Sequence, residues 1–185
     1  MARIHHVKKS AKEHTCSGHG HTIAKGEPYT WAKPGFRTRR PVCRCLKHPF
    51  RESDLITGQR AEIVRAKEDC LEAIDNADTP EEVESAVAEF ASAAEDYQAM
   101  RQEGLDAWEN GNSQLEEYVY QAEAICSEVD SWTADEFDEP DQDVFEEDPD
   151  ASDYENLDEF VEFKRAEHLD EVKDAARDLI EGLDM

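Results

Sequence analysis

No run of 18 apolar residues occurs anywhere in the 185-residue chain, so the sequence predicts no membrane-spanning helix. The first residues also lack the apolar stretch of a secretory leader. Hydrophobic residues make up only 38%. That share is below the globular norm and argues against one large core, in favour of small cores and helix–helix seams. The cysteines number five. An odd count with close spacing argues against a secreted disulfide framework and fits metal ligation in a reducing compartment. The expected location is therefore the cytoplasm. No internal repeat of fixed period is present, and basic residues are scarce past position 51.

What is present is divided unevenly. Residues 1–51 hold 12 Lys/Arg against only Glu13 and Glu27, a formal balance of +10. Residues 52–185 hold the other 8 basic residues against 44 acidic ones, a formal balance of −36. An asymmetry of this size suggests two functional halves. The basic half also holds six of the seven histidines and Cys16, Cys43 and Cys45.

Cys16-Ser17-Gly18-His19 is a C-x-x-H pair followed by Gly20, and Cys45-Leu46-Lys47-His48 is a second such pair. Two residues between ligands let both side chains reach one ion from a tight turn, and a glycine beside the second ligand lets the backbone fold around it. Two thiolates with two imidazoles make a closed tetrahedral shell, the structural kind of zinc site. The expected ligands of one structural Zn2+ are Cys16, His19, Cys45 and His48. Cys43 is an alternate for Cys45, and His21 or His14 for His19. A segment of about 50 residues with few large apolar side chains needs such a staple to fold.

Around these pairs the pattern predicts short β structure. Ile4 and Val7 suggest a first strand, Tyr29 to Trp31 a strand after a turn at Gly26, and Phe36 to Val42 a return strand after Pro34-Gly35. A helix is expected from an N-cap at Ser53 to about Asp78. Thr79-Pro80-Glu81-Glu82 predicts a second start, with a capping box closed by Glu82. Val83, Val87, Phe90, Ala94 and Tyr97 then step by four and three, as in a coiled-coil seam. Gly111 suits a helix end, and Ser113 with Glu116 suits a new capping box. Leu115, Val119, Ala122, Cys126 and Val129 repeat the stepping. Acids dominate 134–156, with Pro140 and Pro149, and this stretch reads as a disordered linker. Asn156 and Glu159 reopen a helix with Leu157, Phe160, Val161, His168, Leu169, Val172, Ala176 and Leu179 along one side.

The expected class is therefore α+β. A zinc-stapled β-hairpin of zinc-ribbon or treble-clef kind spans 1–52. An acidic antiparallel helical hairpin or bundle spans 53–133. The acidic linker 134–156 and a C-terminal amphipathic helix at 157–185 follow.

Two blocks of residues carry a resemblance. One is Cys16-x-x-His19-Gly20 with Ile23, Gly26-Glu27-Pro28-Tyr29 and Trp31. The other is Arg40, Cys45-x-x-His48-Pro49, Arg51 and Ser53-Asp54-Leu55. Together they resemble small zinc-ribbon-like proteins encoded by tailed phages, especially those of actinobacteria. There the metal pairs are usually two Cys pairs, so His19 and His48 depart from that pattern while keeping acceptable zinc ligands. The resemblance covers about residues 1–56 well and the helices to about 133 loosely. It implies a metal site, a phage origin and the host cytoplasm, and it implies no activity.

Arg37, Arg39, Arg40, Arg44, Lys47 and Arg51 cluster along the expected return strand and the second ligand turn. Guanidinium groups suit phosphates. Tyr29, Trp31 and Phe36 lie among them. Exposed, these rings would stack on unpaired bases; buried, they would form the module's core. A closed metal shell leaves no water position for hydrolysis, so an enzyme is not expected. The leading expectation is a non-enzymatic binding protein whose basic module contacts nucleic acid. Its helices would bind a host or phage protein or pair with a second copy. The alternatives are an acidic decoy that imitates nucleic acid towards a host protein, and a minor virion component.

Overall fold

The computed structural model describes residues 2–34, 41–109 and 111–184. It divides into two compact units, Met1–Glu68 and Asp69–Met185.

The first unit contains β1 (His5–Val7), β2 (His14–Thr15), β3 (Thr22–Ile23), β4 (Tyr29–Ala32) and β5 (Val42–Cys45). Strands β1, β4 and β5 form an antiparallel sheet in that order, and β2 pairs with β3 as a separate hairpin. Tyr29 lies opposite Cys45 and Trp31 opposite Cys43. Side chains alternate along a strand, so these four share one face. That face meets Cys16 and Ile23 from the β2–β3 hairpin, and together they form the unit's small core. Trp31 stacks on His5 with ring centroids 4.1 Å apart, and Tyr29 tilts against His14 at 4.6 Å. The two aromatics are therefore partly buried core rings and not open platforms for bases.

Gly26 adopts φ +95°, a left-handed conformation that favours glycine. Its N–H donates to the Ser10 carbonyl, and the Ser10 N–H donates to the Glu27 carbonyl, both at 2.9 Å. These bonds tie the β1–β2 connection to the turn before β4. The expected return strand over 36–42 is displaced along the chain. The strand starts at Val42 and carries Cys43 and Cys45, while residues 36–40 lie outside the described residues.

Past β5, the helix expected from Ser53 is only a single 3-10 turn, Ser53–Leu55. Gly58 at φ +91° separates it from α1 (Arg60–Asn76). Ser53 is not the expected cap. Its hydroxyl donates to Glu68 Oε2 at 2.5 Å and its N–H points to Oε1 at 3.4 Å. The Glu52 N–H reaches the same carboxylate at 2.6 Å. One carboxylate from α1 thus satisfies the donors that open the 3-10 turn, leaving no cap for Ser53 to supply.

In the second unit, α2 (Pro80–Asp106) starts where the sequence predicts. Thr79 accepts from the Glu82 N–H at 3.3 Å, and the Glu82 carboxylate reaches back to the Asp78 N–H at 2.6 Å. The next helix, α3 (Ser113–Asp130), is capped one residue earlier than expected. Asn112 Oδ1 accepts from the N–H groups of Gln114 and Leu115. Just past α3, the Ala134 N–H donates to Glu84 near the start of α2, so the two helices run antiparallel. Val83, Ala86, Val87, Phe90, Ala94 and Tyr97 of α2 are buried, as are Val119, Ala122, Ile125, Cys126 and Val129 of α3. The residues that step by four and three are thus buried, except Leu115, which is half-buried.

The last helix, α5 (Leu157–Gly182), is capped by Asn156 as expected. It buries Phe160, Val161, Val172, Ala176 and Ile180. Arg177 on α5 bridges Asp174 at 2.6 Å and Asp75 at 2.7 Å. The stretch 134–156, read as a disordered linker, carries α4 (Gln142–Glu147) and a 3-10 turn, Pro149–Asp153. Its few aromatics account for the difference. Phe145 and Tyr154 flank Phe160 with centroids 5.4 and 5.7 Å away, and Phe137 tilts against His168 at 5.4 Å. Lys164 bridges Asp148 at 3.6 Å. Arg165 bridges Glu139 at 2.5 Å. A few rings and two cations on α5 thus hold down a chain that composition alone would leave loose.

Cys70, near the middle of α1, is buried, and its thiol donates to the Ala86 carbonyl at 3.4 Å. Burial, followed by the nearby Glu89 charge, pushes the thiol up to about 11. The folded state therefore favours the neutral thiol. That preference is fully present below the ordinary thiol range and is lost as pH rises through about 11.

Two outcomes are expected. Phe160→Ala should destabilise the second unit by about 3–5 kcal/mol and speed protease cleavage within 134–156; wild-type cleavage rates would refute the anchoring. Native Cys70 should resist iodoacetamide at pH 8 while labelling readily in denaturant, read by peptide mass spectrometry.

Candidate metal centre

The first unit presents two short turns to one point. In the first, β2 and β3 hold the ends of Cys16-Ser17-Gly18-His19-Gly20. The Cys16 N–H donates to the His21 carbonyl at 2.9 Å, and the Gly20 N–H returns to the Cys16 carbonyl at 2.8 Å. Gly20 has φ +76°, which lets the chain reverse directly after the histidine. In the second, β5 delivers Cys45, and the His48 N–H donates to the Cys45 carbonyl at 3.1 Å. The turns are joined through Ser17, whose N–H and hydroxyl reach the Cys43 carbonyl at 2.8 and 3.1 Å.

Cys16, His19, His21 and Cys45 bring one ligand atom each within 4.8 Å of one another. The two sulfurs are buried, whereas His19 and His21 are exposed. His19 Nδ1 and His21 Nδ1 are 3.2 Å apart, and the Cys45 N–H approaches Cys16 Sγ at 3.4 Å. Burial by itself would raise the Cys16 thiol. Hydrogen bonds from the Cys45 and Gly18 backbones and from the Cys45 side chain outweigh that, and the thiol lies below its ordinary value. His19 is lowered by desolvation, then by its neighbours His48 and His21. Both shifts favour the deprotonated forms that bind a metal.

The donor set fits one structural zinc ion. Zinc–nitrogen bonds of about 2.0–2.1 Å imply nitrogen–nitrogen edges of roughly 3.3 Å in a tetrahedron, close to the His19–His21 separation. Backbone N–H donors to sulfur suit a thiolate rather than a thiol. With two sulfurs and two nitrogens, the shell is closed.

Three of the four expected ligands, Cys16, His19 and Cys45, fall in this group. The fourth member is His21, an alternate in the sequence reading. His48 lies beside the group, with Nδ1 3.2 Å from Cys45 Sγ and its ring tilted against His19 at 3.6 Å between centroids. Of the other alternates, Cys43 is buried in the sheet core with Sγ 3.6 Å from His14 Nδ1. Burial, then the Cys16 charge, raises the Cys43 thiol.

The basic residues read from sequence meet different fates. Arg37, Arg39 and Arg40 lie outside the described residues. Arg44 is half-buried and bridges Asp54 at 2.7 Å, with its guanidinium 5.8 Å from the Phe50 ring centroid. A Cβ on Gly18 would collide with Arg44 Nη1. Arg44 therefore fills the space between the two ligand turns and ties them to the 3-10 turn. The Arg51 N–H also donates to Asp54, and Lys47 is exposed. The sequence reading missed Asp54 and Glu68 as organisers. Asp54 stands in the Ser-acid-Leu triplet that follows the second pair, the one signal that pointed to it.

Compared with family models, with curated proteins and with solved structures, the chain matches none. Among the described residues no helix is long and apolar enough to cross a membrane.

Chelation should collapse the dispersed proton spectrum of residues 2–68 and leave most helical ellipticity, because structural zinc supplies on the order of 10 kcal/mol in small modules. Unchanged spectra would remove the site. Asp54→Ala, at saturating zinc, should lower the first unit's stability by about 1.5–3 kcal/mol through the freed Arg44, measured by denaturant unfolding.

Proposed function

We propose that this is a non-enzymatic, zinc-containing binding protein. The zinc-ordered basic module contacts nucleic acid, and the acidic helices engage a protein partner. The observation that carries the non-enzymatic part is the donor set, which is complete without water. The nucleic-acid part rests on the +10 balance of residues 1–51. Lys47 beside the second ligand turn is exposed to solvent. Arg37, Arg39 and Arg40 stand between β4 and β5 in sequence. Arg44 serves structure in this reading and is set apart from the contact residues. A phage origin belongs to the same proposal and rests on the resemblance of residues 1–56 alone.

A second reading is favoured by one observation, the −36 balance of residues 52–185. Carboxylates at this density imitate the charge of a nucleic-acid backbone and would attract a protein that binds one.

The test is binding of zinc-loaded full-length protein to single- and double-stranded oligonucleotides over a salt series. The expected result is binding at low salt that weakens linearly in log–log form, with the triple variant R37E/R39E/R40E reducing affinity by at least about tenfold. Absence of binding at about 50 mM salt, or a triple variant equal to wild type, would defeat the first reading. Capture of a purified nucleic-acid-binding protein by this chain, competed by DNA, would favour the second.

A further inference from the structure

Five side chains crowd a site that takes four. Cys16 and Cys45 supply the buried sulfurs. Three imidazoles, from His19, His21 and His48, lie beside them, and the first two fall in the group whose ligand atoms all lie within 4.8 Å of one another. Their arrangement is not equivalent. His19 lies between the other two, with ring centroids 4.2 Å from His21 and 3.6 Å from His48, whereas His21 and His48 are 6.4 Å apart. His21 reaches the site through His19, with Nδ1 atoms 3.2 Å apart, and His48 reaches it through Cys45, with Nδ1 3.2 Å from Sγ. The first separation matches a nitrogen–nitrogen edge of about 3.3 Å in a zinc tetrahedron, and the second lies about 0.4 Å inside a nitrogen–sulfur edge of about 3.6 Å.

The geometry points to a shared fourth position. Cys16, His19 and Cys45 form a constant tripod, and His21 and His48 alternate as the fourth ligand. This deepens the zinc reading above and rests on it. The two histidines sit on different pieces of chain. His21 directly precedes β3, and His48 closes the second turn ahead of Pro49 and Phe50. Ligation by one releases the other, so the module has two closed forms that differ in which turn is held. The sulfurs stay covered in both forms, because exchange takes place only on the exposed imidazole side.

The spare imidazole also explains how two features coexist. The Cys45-x-x-His48 spacing is that of a ligand pair, yet the four ligand atoms that lie within 4.8 Å of one another include that of His21. In a site with fixed ligands, one of these would be an idle histidine packed against the metal shell. In a shared site, both are ligands.

The test uses the full chain and four proteins: wild type, His21→Ala, His48→Ala and the double variant. Metal content, zinc affinity by chelator competition and the visible spectrum of the cobalt-substituted protein are measured. Each single variant is expected to keep one equivalent of metal, intense tetrahedral cobalt bands and an affinity within about tenfold of wild type. The double variant is expected to lose at least about 100-fold in affinity and to shift its cobalt bands away from those of wild type, since only three protein ligands then remain and water takes the fourth position. A single variant that falls as far as the double identifies a fixed ligand and overturns sharing. A double variant equal to wild type excludes both histidines and overturns it too. Wild type that takes up neither zinc nor cobalt defeats the zinc reading itself, a result distinct from either. Nitrogen-15 spectra of the imidazoles in wild type remain informative if a variant misfolds. His19 should show one metal-bound state, while His21 and His48 should show exchange between bound and unbound shifts. Sharp, unexchanged signals for both would overturn sharing.

Discussion

Two sulfurs held in a dry corner of a small sheet are the constraint from which the first unit is built. Cys16 and Cys45 come from turns that are distant in sequence, and neither turn has enough apolar surface to fix the other. The core they share with Ile23 and Cys43 is small. What orders it is the convergence of soft donors on one point, supported by backbone bonds through Ser17 and by Arg44 between the turns. The alternation of β4 and β5 puts the cysteines and the aromatics on one face. The same register that buries Tyr29 and Trp31 also aims the second thiolate at the first turn.

The second unit follows another logic. Its helices are strongly charged, yet they bury narrow stripes of Val, Ala, Phe and Ile against each other. Ala94, Ala122 and Ala176 are fully buried, and small residues at these positions allow close helix approach. Repulsion among carboxylates is tolerated because they lie on the outer faces, while arginines and a lysine on α5 reach across to acids on neighbouring segments.

Much of this was legible in the residues. The two C-x-x-H pairs marked the metal turns, Thr79-Pro80 marked the start of α2, and Asn156 marked α5. The four–three stepping located the seams because helical period is a local property of the sequence. Other features depended on contacts distant in sequence and were not legible. Ser53 resembled a cap until Glu68, 15 positions on, took its donors. The stretch 134–156 resembled a disordered linker because composition averages over Phe137, Phe145 and Tyr154, whose value depends on where α5 places its own rings. Arg44 resembled a phosphate contact because its partner Asp54 is identified only once the 3-10 turn is formed. His21 was only an alternate because spacing rules describe pairs within a turn, not a histidine just beyond it.

All five cysteines of the described chain are buried and unbridged, and three of them gather in the first unit. While that unit is folded, oxidants find little sulfur to attack. Were the metal withdrawn, Cys16, Cys43 and Cys45 would reach solvent together, close enough in a loosened chain to crosslink. Refolding would then require a reductant as well as a cation, so metal loss in an oxidising medium becomes a one-way step.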